Sequence, residues 1–164
     1  MRAVFGALRE MVDQEPDIEV VYPVHLSPAV QEVAHDLLGN HERIHLIEPL
    51  DVFDFHNLAS RSYFIMSDSG GVQEEAPSLG KPVLVLRDTT ERPEGVKAGT
   101  LKLVGTDTKK VKEAMESLLT ALYKEMSEAP NPYGDGKAAE RIVQAIKVYF
   151  NLADSVSEFH EGGD

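Results

Sequence analysis

The sequence has no cysteine, which removes disulfides, thiolate metal sites and thiol nucleophiles from consideration. It has no Asn-x-Ser/Thr tripeptide. No stretch approaches the ~18 apolar residues of a membrane span. The opening Met1-Arg2-Ala3-Val4-Phe5-Gly6 is too polar and irregular for a secretory leader. A cytoplasmic protein is the expectation. Basic residues are scarce as well: 16 Lys and Arg stand against 28 Asp and Glu, a net charge of −12. Such a chain is a poor general partner for nucleic acid or anionic membrane, although a local basic pocket for one phosphate remains compatible with it.

What is present is an ordinary globular composition, 42% hydrophobic and 27% charged over 164 residues. That is the size of one domain able to bury a core without staples. Val4, Leu8, Met11 and Val12 fall at helical spacing, and Glu15-Pro16-Asp17 ends the run. Residues 18–24 (IEVVYPV) read as a buried strand. Ser27-Pro28 opens a helix as cap and first residue, and Gly39 closes it. Ile44 to Ile47 is a short strand, and Asp51 caps a helix running to about Ala59. Tyr63 to Met66 is the next strand, followed by a turn at residues 67–71 and a short helix from Val72 to Leu79. Pro82 to Leu86 (PVLVL) is a continuous apolar strand, residues 87–99 a polar loop, and Leu101 to Val104 a last strand. A helix capped by Asp107 or Thr108 runs to about Lys124, and a final helix ends near Phe150. The tail from Asp154 to Asp164 is acidic and reads as frayed.

Near-continuous apolar strands alternating with helices predict parallel strands covered on both faces. The fold class expected is α/β, a Rossmann-like, doubly wound open sheet of about five parallel strands. One detail departs from that plan: the chain opens on a helix, where such a unit starts on a strand. A domain that begins with a helix and a start inside a longer protein account for this equally well.

In open parallel sheets ligands bind beyond the carboxyl ends of the strands, and the unusual residues collect there. Asp68-Ser69-Gly70-Gly71-Val72-Gln73-Glu74-Glu75 follows a strand and opens a helix. Two glycines let a phosphate approach the backbone, the first helical N–H groups are available to an anion, and Ser69 can cap the helix or donate to a phosphate oxygen. A tight turn with a serine cap is the plain alternative. Neither a Walker loop nor GxGxxG is present, because Gly80-Lys81 runs into Pro82 without the required upstream glycine. Glu74 and Glu75 fall in the first helical turn, where they favour the dipole but would repel an anion unless one points away. A ribose diol suits such a carboxylate, so a phosphate at the turn and a ribose at Glu75 suggest a nucleotide. The loop of residues 87–95 carries five charges in nine positions, and Arg92 is its best candidate for a pyrophosphate. His25 follows a strand directly; a helix-entry histidine bonded to backbone is the equal alternative. His41 and His45 straddle a loop and a strand, which disfavours a metal pair.

Five segments then carry a resemblance: YPVHLSP at 22–28, RIHLIEPLDVFDFHNL at 43–58, DSGGVQEEAPSLGKPVLVLRDTTERPEGV at 68–96, AGTLKLVGTD at 98–107 and NPYGDGKAAERI at 131–142. Together they resemble the C-terminal half of bacterial non-hydrolysing UDP-N-acetylglucosamine 2-epimerases. The resemblance implies a glycosyltransferase-B-like architecture of two Rossmann-like domains with the active site between them. Residues 1–150 would be its UDP-binding C-terminal domain and 151–164 the tail. The reaction it implies interconverts UDP-GlcNAc and UDP-ManNAc by elimination and re-addition of UDP, for cell-surface polysaccharide precursors. No organic redox cofactor or metal is implied.

Residue by residue, the resemblance puts Ser69, Gly70 and Gly71 at the phosphates, Glu75 at the ribose, Phe55 near the uracil and Arg92 in the UDP site. His25 resembles a histidine that contacts a second, activating UDP-GlcNAc. The family's His-Arg-Arg-Glu motif, expected just before the first helix, is absent from this sequence. Its acid/base carboxylates belong to the N-terminal domain, so that missing domain is an implied partner, no catalytic residue is expected here, and the chain alone is expected to be inactive. A homodimer stays open. A stand-alone nucleotide-sugar binding module is the alternative of a different class.

Overall fold

The computed structural model describes residues 1–159. The first helix, α1 (Arg2–Gln14), buries Val4, Phe5, Ala7, Met11 and Val12. It stops at Glu15, whose extended backbone is the conformation forced on a residue preceding proline. The orphaned carbonyls at this end are met from outside: the Arg43 guanidinium donates to the carbonyls of Val12, Glu15 and Ile18. Strand β1 (Val20–Pro23) leads to α2 (Pro28–Leu38), β2 (Ile44–Ile47) and α3 (Val52–Arg61). Asp51 caps α3 as expected, accepting from the Asp54 N–H at 2.9 Å. The expected cap from the Ser27 hydroxyl is not made; the Ser27 N–H instead donates to His25 Nδ1 at 3.1 Å.

Strand β3 (Ile65–Ser67) is followed by α4 (Gly70–Glu75) and one turn of 3₁₀ helix (Ala76–Leu79), which Gly80 ends in the left-handed conformation. After β4 (Val83–Val85), the expected loop contains a helix, α5 (Pro93–Ala98). Its signals were the ordinary ones: Pro93 at its start, Glu94 in its first turn, and Gly99 left-handed at its end. Charge density hid them. Strand β5 (Leu101–Leu103) precedes α6 (Thr108–Leu118), capped by Asp107 on the Lys110 N–H. The single helix expected to run on to Lys124 breaks here. The Ser117 and Thr120 hydroxyls donate to the carbonyls of Glu113 and Glu116, a competition that loosens a helix, and α7 (Leu122–Ser127) starts afresh. The last helix is α8 (Ala138–Tyr149).

All strand pairs are parallel, but they form two ladders rather than one. In the first, β1 pairs β2 with Val20 opposite Ile44. In the second, β3 pairs β4 with Ile65 opposite Val83, and β4 pairs β5 with Val83 opposite Leu101. The larger core lies on one side, where α1, α2 and α6 cover Ile44, Leu84 and Val104. A smaller core of Ala76, Val83, Val85 and Leu101, with Ile65, Val72, Leu103 and Tyr133 packed on it, lies on the other side of the β3–β4–β5 ladder. No helix among the described residues is long and apolar enough to cross a membrane.

Candidate functional site

The carboxyl end of β3 runs into the Ser-Gly-Gly turn. The Ser67 hydroxyl accepts from the Ser69 N–H at 3.1 Å, which bends the chain out of the strand. Ser69 holds the capping position of α4, yet its hydroxyl makes no cap bond and remains exposed. Gly70 and Gly71 are not needed for a left-handed backbone, since neither has positive φ. Packing does not require them either: a methyl group on Gly70 would meet nothing nearer than Arg92 Nη2 at 4.0 Å. One on Gly71 would lie 3.7 Å from Glu75 Oε1 and 3.8 Å from Ser69 Oγ. A Cβ at either glycine would therefore make no more than ordinary contact with the Arg92, Glu75 and Ser69 side chains around the turn.

Glu74 and Glu75 do not stand in the first helical turn as expected: α4 starts at Gly70, so they close it, and both are turned onto cationic or donor partners. Glu74 is ion-paired with the Arg92 guanidinium through Nε, and Arg92 Nη1 donates to the Glu91 carbonyl at 3.1 Å. Glu75 Oε2 is 3.0 Å from His56 Nε2 on α3. Phe55, half-buried beside His56 with ring centroids 6.1 Å apart, joins the group through that neighbour. Thus Ser69, Gly70, Gly71, Glu75 and Arg92 come together at the carboxyl ends of β3 and β4, and Phe55 lies at their margin. His25 is exposed after β1, where Nδ1 accepts the Ser27 N–H; among the described contacts nothing joins it to the cluster. His41 Nε2 faces Asp13 at 3.1 Å and His45 Nε2 faces Glu19 at 3.4 Å, so the two imidazoles serve different acidic neighbours.

Several residues at this site carried no sequence signal. Gln73 is fully buried: Nε2 donates to the Ser69 carbonyl at 3.1 Å and Oε1 accepts from the Thr90 hydroxyl at 2.5 Å. Thr90 Oγ1 in turn accepts the Arg92 N–H at 3.0 Å. Tyr133, from the loop before α8, accepts the Gly95 N–H at 3.1 Å and donates to the Arg92 carbonyl at 3.4 Å. Burial pushes its phenol above the ordinary value, an effect partly offset by the Gly95 N–H. A Cβ on Gly95 would overlap both that hydroxyl and Leu101, so this glycine is fixed by close approach. An open cleft of about 500 Å³ separates Glu74 and Glu75 from the loop of residues 131–136 and Arg141. A lone polar residue on the inward face of a short helix was the one available hint of Gln73; nothing local marked Thr90 or Tyr133.

The arrangement defines an open parallel α/β domain with its polar cluster at the carboxyl ends of the strands, the place where this class forms its ligand crevice. The chain belongs to the UDP-N-acetylglucosamine 2-epimerase family, whose sequence model matches residues 1–147. It is 60% identical over 152 residues to the UDP-N-acetylglucosamine 2-epimerase of Bacillus subtilis, covering 92% of this chain and 40% of that protein. The structure of S. aureus MnaA with UDP matches at a TM-score of 0.91 and 57% identity, over 97% of this chain and 44% of the other. The Neisseria meningitidis UDP-GlcNAc 2-epimerase bound to UDP-GlcNAc matches at a TM-score of 0.84 and 47% identity, over 88% and 40%. The chain thus spans about two-fifths of the length of these relatives.

Proposed function

We propose that residues 1–150 form the UDP-holding domain of a UDP-GlcNAc 2-epimerase. The observation that carries this reading is the Gly70-Gly71 backbone within reach of Arg92, with Glu74 ion-paired to that arginine and Glu75 turned onto His56. Ser69 and the turn amides hold the phosphates, and Arg92 Nη2 donates to them. Glu75, oriented by His56, accepts from the ribose hydroxyls. Phe55 offers its ring to the uracil. The kinship with proteins solved with UDP and UDP-GlcNAc supports the same assignment.

In the reaction this implies, a base removes the C2 proton and the C1–O bond breaks with its electron pair leaving on the UDP β-phosphate. A glucal double bond forms between C1 and C2. UDP then re-adds at C1 while a proton returns to the opposite face of C2. This chain stabilises the departing charge through Arg92 and the turn amides. The proton transfers need positioned acid and base groups, which we assign to the part of the enzyme outside this sequence. Accordingly the chain alone does not convert UDP-ManNAc to UDP-GlcNAc, and turnover requires the other domain. His25 then serves an activating nucleotide sugar completed by that domain.

Calorimetric titration of the 164-residue chain with UDP and with inorganic phosphate tests the site. Glu75→Ala should weaken UDP by about 1.5–3 kcal/mol, the size of a charged hydrogen bond, and leave phosphate nearly unchanged. Equal loss for both ligands removes the ribose assignment, and no binding of UDP by the unmodified chain removes the whole reading. His25→Ala should leave UDP binding intact; a large defect would move His25 into the primary site.

A further inference from the structure

We propose that Gln73 and Thr90 act as positioning residues that hold the Ser69-Gly70-Gly71 turn and Arg92 at a fixed separation. The inference rests on the UDP reading above and adds a part to it. The two anion-facing pieces come from different segments, one following β3 and the other following β4. They are joined by an unbroken chain of hydrogen bonds. The Gln73 amide donates to the Ser69 carbonyl, its oxygen accepts from the Thr90 hydroxyl, and that hydroxyl accepts the Arg92 backbone N–H. Gln73 is completely buried, so neither end of the amide has water as a substitute partner. A buried amide with one end unmet is costly, and the two segments cannot drift apart without leaving it so. The strut therefore transmits no charge to a ligand and need not touch one. Its effect is geometric: a diphosphate that bridges the turn and the guanidinium finds both at the correct spacing before it arrives.

The chemistry of the pieces fixes the direction of each test. Valine at position 90 keeps the shape and removes both hydrogen-bond functions of the hydroxyl. Serine keeps them. Glutamate at position 73 keeps the acceptor for Thr90 but, when ionised, has no proton for the Ser69 carbonyl. Uridine carries the base and ribose without phosphate, so it reports on everything except the spacing in question.

The experiment is calorimetric binding of UDP and of uridine to the full 164-residue chain and to Thr90→Val, Thr90→Ser and Gln73→Glu. It is paired with amide hydrogen exchange at the residue 73 backbone N–H without ligand. Thr90→Val is expected to weaken UDP by about threefold to tenfold, the scale of one hydrogen bond, with uridine unchanged. Thr90→Ser is expected to restore UDP binding. Gln73→Glu and Thr90→Val are both expected to speed exchange of the residue 73 backbone N–H, which donates to the Ser69 carbonyl at 3.3 Å, while Val83–Val85 keep their protection. Equal weakening of UDP and uridine, or no rescue by serine, overturns the strut. If the unmodified chain binds no UDP, the nucleotide reading fails, and the exchange arm decides the strut by itself: unaltered exchange at the Gln73 backbone N–H in Thr90→Val overturns it.

Discussion

The two ladders are built from similar sequences and end up in different conditions. In β3–β4–β5 the central strand is buried along its whole length, with Val83, Leu84 and Val85 fully inaccessible and helices on both faces. In β1–β2 the strand Val20–Pro23 is only half-buried, and Val21 is 41% exposed. The hydrogen bonds show which edge of β1 is paired. Val20 and Val24 donate to the carbonyls of Arg43 and Ile47 on the β2 side, and residues of a parallel strand alternate in direction. Val21 therefore turns its own N–H and carbonyl to the edge that has no ladder. A β-branched apolar run predicts a strand; whether that strand is covered on both sides depends on its neighbours. The candidate site rises from the ends of β3 and β4, the covered ladder.

The contrast is broken most directly at Leu84, in the middle of β4. Leu84→Ala should cost about 2–5 kcal/mol in urea unfolding, the usual range for a buried leucine; a loss under about 1 kcal/mol would show that the core under α1 does not lean on this strand. Gly95→Ala comes next. The added methyl overlaps the Tyr133 hydroxyl and Leu101, and overpacking of this kind costs about 1–3 kcal/mol. Unfolding by urea, with Tyr133→Phe/Gly95→Ala beside it, separates the hydroxyl clash from the leucine clash.

A smaller effect is expected at the entrance to α8, where Arg141 makes paired bonds to Asp135 at 2.6 and 2.8 Å. Arg141, and then the Lys137 N–H, hold this carboxyl well below the usual aspartate range. A depressed folded pKa means stabilisation that is present above the ordinary aspartate value near 3.9 and is lost as pH falls through the depressed one. Asp135→Asn should flatten the acid limb of helicity followed by circular dichroism, while an unchanged limb would exclude the pair. The smallest effect belongs to Val21. Val21→Thr should shift unfolding by no more than about 0.5 kcal/mol, and a larger loss would mean that β1 is more enclosed than its edge position indicates.

The order of elements was legible because each strand and helix was punctuated by its own residues: Pro16, Gly39, Asp51, Gly80 and Asp107 all stand at boundaries. The misses share one cause, a local signal read without its surroundings. The charges of residues 87–99 concealed Pro93 and Gly99. The apolar stripe from Val111 to Leu122 concealed the hydroxyls that interrupt it. The division into two ladders lay outside any local pattern, because strand pairing is a property of distant segments. At the site, the Ser-Gly-Gly turn, Glu75 and Arg92 were visible as residue types at a strand end. The partners that aim them were not. His56 reaches Glu75 across 19 positions, Thr90 reaches Gln73 across 17, and Tyr133 reaches Gly95 across 38.

The chain has five tyrosines and no tryptophan, so its near-ultraviolet signal is phenolic. Burial raises the hydroxyl of Tyr22, on the half-covered ladder beside Asp68, and that of Tyr133, bound over the Arg92 loop, above the ordinary value near 10. Each lends stability that is intact below the unfolded phenol's pKa and fades as alkali takes the folded one through its raised value. When Tyr133 ionises it loses the proton it gives the Arg92 carbonyl, and the loop of residues 131–136 loses a tie to α5. Alkaline spectrophotometric titration is expected to show the Tyr22 and Tyr133 phenolate transitions late, which gives the molecule an optical report on its cleft without any label.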